Sequence, residues 1–206
     1  MKLLSDTDIL AEFEAAHAIL RGHFILSSGL HSDTYLQCAR VLMQPKRAEK
    51  LCAALAEKIK QQLPFQEFDL VVAPAMGGVV VGYEMARQMN LEGLFCERQD
   101  GVFTLRRGFN IEAGARVLVV EDVVTTGKSS LEAYKCIEEA GGIVVAEASL
   151  IDRSNGSAHA TLGVPYISLM TLEVPTFQPD ALPEHLQNIP AIKPGSRWLA
   201  ATAKTA

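Results

Sequence analysis

Aromatic side chains are scarce in this 206-residue chain, at 6% with a single tryptophan, so its core has to be built mainly from Val, Leu, Ile and Ala. Cysteine is as sparse. Cys38, Cys52, Cys96 and Cys136 lie far apart and form no CxxC or Cys/His cluster, which reads as reduced, partly buried thiols. Basic charge is also short: 19 Lys and Arg against 24 Asp and Glu leave a formal net charge of -5. That balance argues against nucleic-acid or anionic-membrane partners, both of which need a basic field. It leaves room for a small anionic substrate, because a few local donors can outweigh a diffuse negative charge. No apolar run could span a membrane and the N-terminus has no signal-peptide pattern, so a cytoplasmic protein is expected.

What is present is the balance of a globular domain, 49% hydrophobic and 21% charged, long enough for one domain with a small subdomain. Ser5-Asp6-Thr7-Asp8 opens a helix, with Asp8 in the capping-box position, and Ile9, Leu10, Phe13, Ala16 and Leu20 continue it past His17 to Gly22. Residues 23–26 and 34–37 read as short strands. Pro45 starts a helix with Leu51, Leu55, Ile59 and Leu63 as its apolar stripe, and Pro64 ends it.

From there the pattern alternates. Strand 69–73 leads through Gly77-Gly78 into a helix with Val81, Met85 and Met89 on one face. Strand 94–98 follows, then a polar stretch to Ala115, strand 116–121, a helix ending at Gly141-Gly142, and strand 143–151. Short apolar strands separated by helices imply an α/β fold with a mainly parallel sheet covered on both faces. Pro165, Pro175, Pro179, Pro183, Pro190 and Pro194 predict an extended tail with little helix.

The informative stretch runs from Val117 to Ser130. Four apolar residues bury a strand, Glu121 and Asp122 appear where it should emerge, and Val123-Val124-Thr125-Thr126-Gly127-Lys128-Ser129-Ser130 opens the next helix. Unpaired N–H groups and the dipole at a helix start suit a phosphate, with Thr125, Thr126, Ser129 and Ser130 as added hydroxyl donors. Gly127 lets the backbone close around the oxygens. Ionised carboxylates accept hydrogen bonds, and neighbouring ribose hydroxyls are a matched pair of donors. Together these features describe a cradle for ribose 5-phosphate. The competing reading is a helix start rich in Ser and Thr caps, which does not require two acids at the end of an apolar strand. Gly127-Lys128-Ser129 is not a Walker A ending, because that motif needs a glycine where Asp122 stands, and no GxGxxG follows a strand.

The acidic pair and its loop resemble the phosphoribosyl-pyrophosphate motif of type I phosphoribosyltransferases. The segment from Gly22 to Tyr35, including Ser27-Ser28-Gly29-Leu30-His31-Ser32, is similar to the N-terminus of the orotate phosphoribosyltransferases. So are Pro74-Ala75-Met76-Gly77-Gly78 at the pyrophosphate loop, Asp152-Arg153 after the next strand, and Pro194-Gly195-Ser196-Arg197 near the end. The resemblance implies a central mainly parallel sheet flanked by helices, with a small N-terminal hood. Residues 1–44 would be helix and hood strands, 45–164 the core, and 165–206 an extended segment completing the hood.

It also implies roles. Glu121 and Asp122 would hold the ribose hydroxyls, residues 123–129 and Met76-Gly77 the phosphates of the donor, and Thr125 and Arg153 the orotate. Arg98 would reach phosphates across a homodimer interface, and Mg²⁺ would arrive mainly on the donor, with no dedicated metal ligands on the chain. Three departures stand out: Ser27 replaces a substrate-touching lysine, Met76-Gly77 replaces a Tyr-Lys pair, and residues 99–110 lack the usual lid pattern of lysines. Arg106 and Arg107 are the lid candidates there, or else a solvated basic turn. His31 is a candidate for substrate contact or for a structural hydrogen bond. Another base-specific phosphoribosyltransferase and a non-catalytic sensor of the donor are the alternatives.

Overall fold

A computed structural model describes residues 4–26 and 28–194. Its centre is a six-stranded sheet in the order β5-β4-β3-β6-β7-β8. The strands are β3 (Leu70–Pro74), β4 (Glu92–Gln99), β5 (Val102–Thr104), β6 (Arg116–Val124), β7 (Ile143–Asp152) and β8 (Tyr166–Thr171). All pairings are parallel except the β4–β5 hairpin. Helix α3 (Pro45–Gln62) and α4 (Gly78–Met89) cover one face, while α5 (Lys128–Glu139) and α6 (Ser157–Leu162) cover the other.

Burial of both faces explains the continuous apolar run in β6. Leu118 and Val120 pack into the cluster that holds Leu51, Leu55 and Met85, whereas Val117 and Val119 pack with Tyr134 and Ile137 of α5. Side chains alternate along a strand, so a strand sandwiched between helices must be apolar on both sides. The α3 stripe of Leu51, Leu55 and Ile59 is fully buried, as its spacing predicts.

Beside the sheet stands a smaller antiparallel pair, β1 (Ile19–Ile25) and β2 (His31–Leu36). The C-terminal segment joins it: Ile192 bridges Phe24, and Phe177 exchanges two main-chain hydrogen bonds with His31. These contacts build a hood above one end of the sheet.

Several expectations are corrected. Helix α1 (Asp6–Ala15) has the expected Ser5–Asp8 capping box but stops before Leu20. His17 takes a left-handed φ of 51°, and Ile19 and Leu20 pair with Leu36 and Tyr35. Strand pairing outweighs the local helical spacing there. β6 continues three residues beyond 121 because β7 offers ladder partners as far as Asp152. The polar stretch before Ala115 contains β5, and a short α2 (Cys38–Leu42) precedes α3. The central sheet takes its last strand, β8, from beyond residue 164, where prolines suggested only extended surface chain. A short α7 (Glu184–Gln187) lies in the tail.

Candidate active site

The strand order creates the crevice. From β3 the chain runs outward through β4 and β5, then returns to the other side of β3 to form β6. The segments leaving β3 and β6 therefore part company, and such a switch point in a parallel sheet is where ligands bind. β3 pairs with β6 only as far as Val72 and Val119, so Glu121 and Asp122 stand beyond their neighbour on that side. Gly77-Gly78 fills the gap. A Cβ on Gly77 would lie 2.9 Å from Asp122 Oδ1, and one on Gly78 would lie 3.4 Å from Glu121 Oε2. Gly77 is required by close approach to Asp122, and Gly78 by the Ala73 Cβ at 3.1 Å and Val120 O at 3.2 Å. Met76, just before them, projects into solvent.

Glu121 is buried, at 7% exposure, and Asp122 is half-buried. Burial, then the charges of Asp122 and Glu147, push the Glu121 carboxyl up to about 9. Burial also raises Asp122, against the lowering effect of the Val123 N–H that donates to its Oδ1 at 2.9 Å. The side chains of Val123 and Val124 pack into the two cores, so only their main chain faces the crevice. Val124 O accepts from Arg153 N at 2.8 Å, which ties the ends of β6 and β7 together.

Beyond β6, Gly127 adopts φ 73° and caps α5, with Leu162 only 3.0 Å from where a Cβ would sit. Both facts demand glycine. Thr125, Thr126, Lys128 and Ser129 are exposed around this helix start. Ser130 is not: it is 1% exposed and donates inward to Glu147, correcting its expected place among the phosphate donors. A hydroxyl at the third helical position can point to either side, and sequence alone does not choose.

A cleft of about 730 Å³ joins this loop to the hood, lined by Thr125, Thr126, Arg153, Tyr35, Ser28 and Lys193 among others. Arg153 Nε is buried there without a hydrogen-bond partner among the described residues, and burial pulls the guanidinium below its ordinary range. The Tyr35 phenol is raised by burial and lowered by the nearby Arg153 charge. Tyr35 and Lys193 received no role from the sequence. Tyr35 belongs to the N-terminal segment that carried the resemblance, and Lys193 directly precedes the C-terminal one at Pro194. Ser27, Gly195, Ser196 and Arg197 lie outside the described residues.

Other candidates stand apart from the crevice. Arg98 lies over the Phe103 ring at 4.2 Å, donates to Gly101 O at 2.7 Å and pairs with Glu132. Arg106 and Arg107 both face Glu97, at 3.9 and 3.1 Å. His31 Nδ1 lies 2.5 Å from His23 Nε2 inside the hood, and is held by a structural partner.

This geometry defines a phosphoribosyl transferase domain, and the family of that description matches residues 41–161. Orotate phosphoribosyltransferases are the particular relatives. That of Rhizorhabdus wittichii is 60% identical over 94% of this chain and 97% of its own, and that of Caulobacter vibrioides 50% identical over 95% and 99%. The crystal structure of orotate phosphoribosyltransferase from Aeropyrum pernix superposes with a TM-score of 0.65 at 27% identity, over 79% of this chain and 93% of that one. The chain belongs to the orotate phosphoribosyltransferase family.

Proposed function

We propose that the chain transfers the ribose-5-phosphate group of phosphoribosyl pyrophosphate to N1 of orotate, giving orotidine 5′-monophosphate and pyrophosphate, in de novo pyrimidine biosynthesis. The observation that carries the choice of base is Arg153, whose buried Nε has no partner among the described residues, in the cleft it shares with Thr125 and Thr126. A desolvated guanidinium needs an acceptor, and the carboxylate of orotate offers two oxygens to its fork. Names and coverage of the relatives support the same reading.

In this reading Glu121 and Asp122 hold the two ribose hydroxyls. The first turn of α5 and the hydroxyls of Thr125, Thr126 and Ser129 hold the 5-phosphate, and the main chain at Met76-Gly77 faces the pyrophosphate. Positive charge builds on the sugar as pyrophosphate departs, and a fixed, half-buried Asp122 carboxylate stabilises it more strongly than solvent would. Orotate needs no covalent enzyme nucleophile, so positioning carries much of the catalysis.

Among the described residues no group of three or more His, Cys, Asp or Glu could hold a metal ion. The acid pair alone fits a hard cation already carried by phosphate oxygens, so Mg²⁺ would arrive with the donor, where it would offset phosphate charge. No helix among the described residues is long and apolar enough to cross a membrane. A cytoplasmic homodimer, with Arg98 released from Glu132 to reach the neighbouring site, belongs to the same proposal. So does a lid formed by residues 99–110 with Arg106 and Arg107.

The test mixes protein, phosphoribosyl pyrophosphate and Mg²⁺ with each candidate base and follows ultraviolet absorbance. Orotate consumption is the expected result. Consumption of another base alone, or donor binding with no turnover, would overturn it.

A further inference from the structure

Glu147 sits in the middle of β7, fully buried; its charge acts on Glu121, but it is assigned no contact with either substrate. In register it lies beside Val119 of β6 and Tyr166 of β8. Both carboxylate oxygens are engaged. Ser130 Oγ donates to Oε1 at 2.7 Å, and the Tyr134 hydroxyl donates to Oε2. Ser130 and Tyr134 are four residues apart on α5, so they leave the helix on one face. Ser130 directly follows Ser129, the last residue of the phosphate loop.

Packing alone does not explain a carboxylate here. An apolar side chain would fill the space without the cost of burying a charge. Apolar contacts from Ala133 and Ile137 hold α5 to the sheet but are not directional, whereas two hydrogen bonds to one carboxylate fix how the helix is rotated. Rotation of α5 decides where the N–H groups of its first turn point. The ionisable neighbours are Tyr134 from α5, Glu121 from β6 and Tyr166 from β8, each electrostatically coupled to Glu147.

We propose that Glu147 is a positioning residue for the donor's 5-phosphate: by clamping Ser130 and Tyr134 it sets the rotation of α5 and the aim of the main-chain N–H groups of residues 126–129. The inference rests on the ribose-5-phosphate reading of that loop.

The experiment compares Glu147→Gln, Tyr134→Phe and Ser130→Ala in the full chain. It measures the KM for each substrate, kcat, melting temperature and binding of ribose 5-phosphate by calorimetry. Glu147→Gln should raise the donor KM about tenfold, the scale of a small misalignment of reacting groups, and move the orotate KM by less than about twofold. Tyr134→Phe keeps the Ser130 bond and should give about a threefold rise in the same direction. If Glu147→Gln does not fold, the Tyr134 and Ser130 variants decide alone. A lowered melting temperature with both KM values unchanged, or an equal rise in both, would overturn the proposal. A parent protein that consumes no orotate would strike at the proposed activity instead, and ribose 5-phosphate binding would still test the clamp.

Discussion

Two regions meet at the cleft and are built on opposite plans. The β6–α5 unit is contiguous in sequence, and its acids and loop emerge from a strand buried on both faces. The hood is assembled from distant pieces: Ser32 Oγ donates to Pro175 O across 143 residues, and His23 Nδ1 reaches Ile189 O across 166. Because a carbonyl only accepts, His23 Nδ1 carries the proton, so a neutral His23 accepts from His31 through Nε2. The first region is held by the core and stands ready before any ligand arrives. The second is held by hydrogen bonds between segments far apart in the chain and is the part able to yield.

The contrast breaks most sharply at Asp122. Asp122→Asn should leave the fold intact and lower kcat by about 10²-fold, the scale of losing one well-placed electrostatic group. Near-normal turnover with an unchanged melting curve would remove the acid from the chemistry, and with it the idea that the core preforms the site.

Preforming has a stability cost that pH exposes. The folded Glu121 carboxyl sits at about 9, above its ordinary value of 4.5. The folded state therefore binds the proton more tightly than the unfolded state. That stabilisation is fully present below pH 4.5 and is lost as pH rises through 9. The ligand-free protein should weaken over that window, and Glu121→Gln should recover on the order of 2 kcal/mol at pH 8.5, read from denaturant midpoints. Equal pH slopes for parent and variant would show that the acid is better solvated than its burial indicates.

The same contrast explains what could be read from the sequence. Glu121, Asp122 and Gly127 declare themselves because strand, acids and helix start fall within a dozen residues, and each local preference agrees with the fold. Gly77-Gly78 reads as a helix start, yet both glycines answer to a strand more than 40 residues later: Gly77 to the Asp122 carboxylate and Gly78 to the Val120 carbonyl. The sequence places Ser130 on the phosphate side, and the structure turns it inward because its partner, Glu147, lies on another strand. Tyr35 and Lys193 were passed over for a similar reason, since the hood that brings them together is made of non-local pairings. β5 is three residues long, too short for any period to show.

Arg153 sits where the two regions touch, and it sharpens the comparison. Lysine keeps the charge and loses the fork, so Arg153→Lys should raise the orotate KM about tenfold and the donor KM less. Equal changes in both would mean that the side chain supports the site as a whole and does not read the base.

The smallest effect should come from the hood itself. Ser32 is fully buried; its one hydroxyl proton goes to Pro175 O at 2.7 Å, with Thr34 O at 2.9 Å as the more distant acceptor, and its oxygen accepts from Thr34 N. Ser32→Ala leaves Pro175 O short of that donor and Thr34 N short of that acceptor and should cost about 1 kcal/mol. The loss should be local, because the core clusters do not depend on that hydroxyl. Hydrogen exchange would show it: faster exchange at Ile192 and Phe177, whose N–H groups bond His23 O and His31 O, with protection in β6 and α5 unchanged. Faster exchange in β6 as well would mean that hood and core unfold as one unit. In that case a yielding hood could not admit substrate to a rigid cradle, and the division between the two regions would fail.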